Sequence, residues 1–411
     1  MGAVLAVGLA ALVACEPVPP TSVTLAGHGW GHGRGMSQFG AYGYAVDHGW
    51  SGAQILDRYY GGTVTSTTAD SHQRVLLTAQ SGRDLVVTNT LGQLRISADS
   101  YATPHPSYLI RRVGPSHFQV FSGSSCTGPW HQWSSVTPGT AVRVRAVASG
   151  NDPRAMVQLC RPGGTTYYRG DLLAVQGAGT IQTVNDVDIE DLVRSVIARE
   201  ESASWADAGG GRGINALRAQ AVAARSYAVA GDTRFVPWAT TCDSTLCQAY
   251  GGYGNRATGS TQIVKVEDGR TDAATSSTHL QVRKFPVTGA VARTEFSSSS
   301  GGFTAGGTFP VARDDGDATS INPNHDWTVT LSHTVLEAAF DARQGHDVGA
   351  FEGLKVLKRN GYGDQGGRVL SLTVSFANGD VTLTGNDFRK LVGLKSDWFA
   401  PVVPPAPSTT P

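Results

Sequence analysis

Glu200 is the residue whose position could do chemistry. It lies in 188-DIEDLVRSVIAREES-202, where Ile189, Leu192, Val193, Val196 and Ile197 recur at helical spacing and form one stripe. At about 100° per residue, Glu200 returns to within about 20° of Ile189, so it continues the buried stripe. It also falls at the C-terminal end of that helix, where negative charge opposes the macrodipole. Both effects disfavour ionisation and predict a raised pKa. A carboxylic acid that keeps its proton near neutral pH is what protonation of a glycosidic leaving group requires. The competing reading is a Glu at a frayed helix end, turned to solvent. Helix geometry alone leaves both open.

The elements that must position this group are legible in part. Asp188 is a good N-cap for the helix, with Glu190 and Asp191 in its first turn. A second helix is predicted over 215-NALRAQAVAARSYAVA-230, with Asn215 as its N-cap and Gly231 as its stop. Its many Ala and Val residues let neighbours approach closely, so it is predicted to be central and buried. The polar Arg218, Gln220, Arg225, Ser226 and Tyr227 must then be paired, either structurally or around a site. For Arg225 both roles stand.

Composition narrows the class. With 33 basic and 33 acidic residues the formal net charge is zero, which gives no electrostatic case for nucleic acid or an anionic membrane surface. The low charged fraction of 16% and the 51 glycines suit an exported, turn-rich β protein. Residues 3–14 form an uncharged apolar run of signal-peptide length, too short to span a bilayer as a helix. The run ends in Leu12-Val13-Ala14-Cys15, similar to a lipoprotein cleavage box with Cys15 as the lipidated residue. An ordinary leader with a chance Cys is the alternative. The remaining Cys126, Cys160, Cys242 and Cys247 are even in number, and an exported chain favours disulfides. Proximity favours Cys126–Cys160 and Cys242–Cys247. Half of a zinc site at Cys242 and Cys247 would need two more ligands, and no His lies between residues 132 and 278.

Along the chain, a Pro-rich spacer, Pro17 to Pro20, precedes 27-GHGWGHGRGMSQFGAYGYAVDHGW-50. Ile55, Leu56, Tyr59 and Tyr60 have helical spacing, stopped by Gly61-Gly62. Residues 73–180 read as strands: RVLLTAQ, DLVVTNT, QLRISA, HFQVFS, AVRVRAV and LLAVQG. Further strands are predicted at TQIVKVEDG, RTEFSSSS and WTVTLS, with a hairpin of VLSLTVSF and DVTLTG turning at Asn378-Gly379. VLEAAFDAR and NDFRKLVGL read as short helices, and PVVPPAPSTTP as a disordered tail.

Several ordered pieces resemble the SpoIID/LytB family of sporulation stage II D and amidase-enhancer proteins. Tyr168-Arg169-Gly170 followed by VNDVDIEDLVRSVIARE is similar to the family's "YRG" and "EDYL" stretch, LRAQAVAARSYA to its Ala-rich helix, and CQAYGG to its "CQVYGG". FSSSSGGFT (296–304), HDWTV (325–329) and LKSDWF (394–399) also fit, so the likeness spans about residues 165–399. The segment 27–43 belongs to the same vocabulary, but relatives carry it after the core, whereas here it comes first. It is expected to pack beside the core. His28, His32, Arg34 and Gln38 offer polar groups along it. No carboxylate or thiolate accompanies the two His residues, so a turn with one functional His, His32, is expected rather than a metal site.

The resemblance implies action on peptidoglycan. One branch of the family cuts glycan strands as lytic transglycosylases, and its catalytic Glu ends the "EDYL" helix, a position that falls on Glu200. The other branch enhances a partner amidase. By this resemblance Gln220, Arg225, Tyr227 and Ser299 would line the groove with His32. Two departures stand out. Glu201-Ser202 replaces the family's frequent Met-Pro, so an adjacent carboxylate would raise the Glu200 pKa further or take its place. Trp238 occupies the place of a zinc-binding His, so no metal or cofactor is expected.

The fold class expected is α+β, a β-rich core with a few short central helices plus an inserted all-β module. The organisation expected is a leader and spacer over 1–20, the Gly/His-rich segment over 21–72, a β-rich insert over 73–164, the family domain over 165–399 and a tail over 400–411. Expected partners are peptidoglycan glycan strands and a cell-wall amidase, with membrane contact only through a lipid anchor.

Overall fold

The computed structural model describes residues 21–96, 104–115, 117–138, 141–148, 150–177, 179–230 and 235–402. Cys15, the 1–20 leader, Gly231 and residues 403–411 lie outside them. The chain is α+β and rich in strands. Two compact units are present: His28–His325 is one, and residues up to Gly27 together with Asp326 onward are the other.

Two large sheets form the framework of the larger unit. One orders its strands Thr241–Cys242, His72–Leu76, Thr180–Asp188, Asp171–Gly177, Ala141–Ala146 and Leu94–Ile96. The other runs Val264–Lys265, Gly254–Ala257, Gly164–Tyr168, Val157–Arg161, Leu85–Thr88, Ser107–Gly114, His117–Gly123 and Trp130–Pro138. Both sheets therefore combine strands from before and after residue 165, and the 73–164 segment has no sheet to itself. Their inward residues, among them Val75, Val87, Ile110, Val144, Leu159 and Leu172, form one core.

Five helices of eight or more residues complete this unit among the described residues: α1 (Gln38–Val46), α2 (Gly52–Tyr59), α3 (Ile189–Glu200), α4 (Ile214–Val229) and α5 (Gly269–Ser277). Asp188 caps α3 by accepting from the Glu190 N–H, and Ile189, Leu192, Val193, Val196 and Ile197 are all buried. The periodic stripe is thus the face that meets the sheets. Helix α4 is central, as its small residues predict. Leu217, Ala221 and Ala224 enter the sheet core, while Ala216, Ala219, Val222 and Ala223 join Ala41, Tyr44, Ile55 and Tyr59 in a second cluster. Its N-cap is Gly213 rather than Asn215, whose side chain lies inside the helix and accepts from Arg218.

Sequence reasoning missed α1, because Gly40 and Gly43 lie inside it and glycine lowers helix propensity. Their role is close approach. A Cβ on Gly43 would stand 2.0 Å from the Gly316 carbonyl oxygen, and one on Gly40 would stand 2.1 Å from the Tyr59 hydroxyl. Ser37 caps α1 through the Gly40 N–H, and Ser51 with Gln54 forms a capping box on α2.

The smaller unit orders Asp326–Ser332, Ser22–His28 and Phe399–Pro401 in one sheet, and Phe351–Arg359, Val369–Phe376 and Gly379–Leu383 in another. Phe376 pairs with Gly379 across Ala377-Asn378, the hairpin expected at that spot. Helices α6 (His333–Gln344) and α7 (Gly385–Val392) cover a core around Leu336, Phe340, Leu372, Phe376 and Phe388. Residues 326–399, which the sequence reading grouped with the family domain, belong to this unit. Ala400 and Pro401, grouped with the tail, pair with Ala26 and Leu25.

Gly43→Ala should lower stability by about 1–3 kcal/mol, since the α1 backbone must retreat from Gly316. Gly269→Ala, whose added Cβ meets nothing within 4 Å, serves as the control and should not destabilise, with a gain of up to about 1 kcal/mol. Urea midpoints of the two variants check this.

Candidate active site around Glu200

The last residue of α3 is Glu200, and its side chain is only partly exposed. Two donors hold the carboxylate. The Ala249 N–H donates to Oε1 at 2.7 Å, and the Gln38 amide donates from Nε2 to Oε2 at 3.2 Å. Burial pushes the Glu200 pKa above its ordinary value, while these two donors and the Arg199 charge pull it back down. The net shift is upward, the direction the helix geometry predicts.

Glu201 takes a different course. Its backbone leaves the helix in an extended conformation, φ −129° and ψ 150°, which turns its side chain inward. It is buried, and neither carboxylate oxygen has a hydrogen-bond partner. Burial, with the Glu200 charge adding to it, pushes its pKa well up. Glu201 is thus an interior carboxyl group whose protonated form is favoured, remote from solvent, and the accessible group is Glu200.

Gln38 arrives on the 27–43 segment, whose path is pinned by the 296–301 stretch. Phe296–Ser297 pairs in parallel with Met36–Ser37, the Phe39 N–H donates to the Ser298 carbonyl, and the Gly33 N–H donates to Ser297 Oγ. Below this pairing lies Asp317, fully buried. It accepts from Ser37 Oγ, Ser299 Oγ, the Ser300 and Gly301 N–H groups and His325 Nδ1, all within 3.0 Å. Burial alone would raise its pKa, but these donors hold it below the usual carboxylate range.

Residues 177–285, which carry α3, α4 and the Ala249 loop, match a family model described as SpoIID, Stage II sporulation protein. An amidase enhancer of Bacillus subtilis (strain 168) is 29% identical over 153 residues, which make up 35% of this chain and 17% of that protein. Over this segment the chain is similar to the SpoIID/LytB family. No solved structure matches it.

Within this SpoIID-type unit, several residues expected at the groove lie elsewhere. Arg225 is fully buried, and its Nε and Nη2 donate to the two oxygens of Glu190 at 2.7 Å each. Nη1 reaches the Gln281 carbonyl at 3.1 Å. Arg225 therefore ties α4 to α3 and holds no ligand. Breaking such a pair leaves an uncompensated interior charge, at a cost of about 3–5 kcal/mol. Ser299 is also corrected: it is wholly buried, donating to Asp317 and accepting from Asn322. Gln220 is wholly buried too, with no partner for either amide atom, so it lines no open groove.

Tyr227 is half-buried beneath the Arg293 guanidinium, 4.0 Å from its ring centre. It borders a cavity of about 140 Å³ with Leu246, Cys247 and Arg293. His32 is half-buried, and its Nδ1 accepts from the Arg34 N–H at 3.0 Å. Arg34 in turn makes a bidentate pair with Glu295, both bonds at 2.8 Å. Cys126 is bonded to Cys160, and Cys242 to Cys247. Among the described residues no group of three or more His, Cys, Asp or Glu side chains is placed to hold a metal ion.

Sequence reasoning named Gln38 only as a polar group and did not find its partner. The Ala249 N–H could not have been found, because a backbone donor leaves no mark on the sequence.

Two expectations follow. Gln38→Leu removes a donor that favours the anion, so the Glu200 pKa should rise further, as carboxyl ¹³C titration would read. Because its folded pKa is raised, Glu201 contributes stability that is present below its unfolded pKa and lost as pH rises through its folded value. Stability of the wild type should therefore decline as pH climbs above the ordinary Glu range, and Glu201→Gln should flatten that decline in denaturation measured from pH 5 to 9.

Proposed function

We propose that this protein is exported to the cell wall and acts on peptidoglycan as a lytic transglycosylase, with Glu200 as its single acid and base. The observation that carries the reading is one partly exposed carboxyl group, raised in pKa by burial and oriented by two fixed donors. The apolar run over residues 3–14 supports export, and Cys15 is the proposed lipid anchor.

In this mechanism protonated Glu200 gives its proton to the oxygen linking N-acetylmuramic acid to N-acetylglucosamine, and the C1–O bond breaks. The resulting carboxylate then takes the proton of the muramyl 6-hydroxyl as O6 bonds to C1. A 1,6-anhydro ring closes, and Glu200 regains its proton. One carboxyl group suffices because the sugar supplies the nucleophile, unlike the paired carboxylates of hydrolases. Gln38 and the Ala249 N–H act on the second half: each donates to the anion, and so each steadies Glu200 while it is charged.

A second reading has a specific support, the similarity to a protein named amidase enhancer. On that reading the unit binds glycan and recruits an amidase without cutting.

Muropeptide analysis of denuded glycan decides between them. The wild type should release anhydro-sugars, and Glu200→Gln should reduce release by a factor of at least about 10². Equal release by both removes the mechanism. Binding to purified sacculi with no anhydro-sugars from either protein favours the enhancer reading.

A further inference from the structure

The two segments that meet at Glu200 meet again five residues later. Gln38 bonds Glu200, and the residue after it, Phe39, packs on Trp205 with ring centres 5.3 Å apart. Tyr42, one turn along α1, packs on the same indole at 5.0 Å. Both contacts are tilted, and Trp205 stays only half-buried, whereas Tyr42 behind it and Ala206 beside it are buried. The indole thus has a wall of aromatic rings behind it and a remaining surface open to solvent. Exposed Ser202 and Ser204 flank it, their hydroxyls 2.8 Å apart.

The backbone that carries the indole is also held in place. The Trp205 backbone N–H donates to the Ser202 carbonyl. The Trp205 carbonyl oxygen lies 1.8 Å from where a Cβ on Gly213 would stand, so only glycine lets α4 begin there. Every side-chain position of the platform is therefore set by the same elements that set Glu200.

We propose that Trp205, backed by Phe39 and Tyr42, is a sugar-stacking subsite beside the acid, recognising the C–H face of an N-acetylated hexosamine in a glycan strand. An aromatic face is electron-rich and attracts the polarised C–H groups of a pyranose ring, and its rigidity costs little entropy on binding. Such a subsite would hold the sugar next to the scissile bond in register with Glu200, the positioning contribution that a one-carboxylate mechanism needs most. The proposal rests on the glycan reading above, and it adds a residue to it. It also gives the 202–213 linker a purpose: the chain loops out after Glu201 to present Trp205 and returns through Gly209 and Gly210, both at positive φ, to start α4.

The test uses the full chain in a Glu200→Gln background, so that bound glycan is not cut. The probes are denuded glycan strands and soluble chitohexaose. Adding Trp205→Leu should weaken binding about tenfold. Adding Trp205→Phe instead should keep affinity within about threefold but abolish the change in tryptophan fluorescence on chitohexaose addition. Thermal midpoints establish that each variant is folded. A folded Leu variant that binds as tightly as its parent overturns the subsite. So does an unchanged fluorescence response in the Phe variant, which remains readable even where the Leu variant fails to fold. If the parent binds neither probe, the glycan reading falls and the subsite falls with it. Binding by the parent that is indifferent to Trp205 removes the subsite alone.

Discussion

The arrangement depends on a buried negative charge at Asp317. An isolated carboxylate in a protein interior is costly, and five donors from three stretches of chain are gathered to satisfy it. Ser37 is one of them, and the same hydroxyl oxygen accepts from the Gly40 N–H to cap α1. Ser37 is therefore fixed from both sides, and the next residue, Gln38, is aimed at Glu200. Asp314, three residues earlier, shares the interior and accepts from Tyr59 and Ser300. Burial, with the Asp317 charge adding to it, pushes the Asp314 pKa up. One of the two aspartates thus carries the charge, and the other is inclined to keep its proton, which spares the interior a second anion.

Next to this hub, the adjacent acids Glu200 and Glu201 are separated by backbone conformation. Helical residues in succession would leave both carboxyl groups on neighbouring parts of one surface. The extended conformation of Glu201 sends one carboxyl inward and leaves the other at the surface. Burial then favours the protonated form of Glu201, which lessens the like charge beside Glu200.

What the sequence revealed is largely what local periodicity controls. The stripe of α3, its Asp188 cap, the Ala-rich α4 and the hairpin at Asn378-Gly379 are all set by neighbours within a few residues. The raised pKa of Glu200 was legible because its place on the apolar stripe of its own helix foretold the burial that raises it. Arg225, Ser299 and Gln220 were misplaced because burial is a tertiary property: a polar side chain on a small-residue helix looks the same whether it faces a cleft or a carboxylate on the helix packed against it. Helix α1 was hidden because its glycines serve contacts with Gly316 and Tyr59, residues distant in the chain. The hexad of strands shared across residue 165 was hidden likewise, because register between remote strands is written in no single segment.

The chemistry asked of Glu200 requires opposed influences, and the structure supplies both. A group that only donated a proton would be served by burial alone, and one that only accepted would be served by donors alone. Burial raises the pKa and favours the acid, while Gln38 Nε2 and the Ala249 N–H stabilise the anion that follows. Of these, the Ala249 contact is a backbone amide and is shorter, so it acts in every sequence that keeps this loop. The Gln38 contact is longer and belongs to a segment that precedes the core in the chain. Moving a segment along the chain preserves an active site only if both new junctions leave the local geometry intact. The Ser37 anchor to Asp317 provides that independence, because it fixes Gln38 through a side chain in the interior and not through the chain leading up to it.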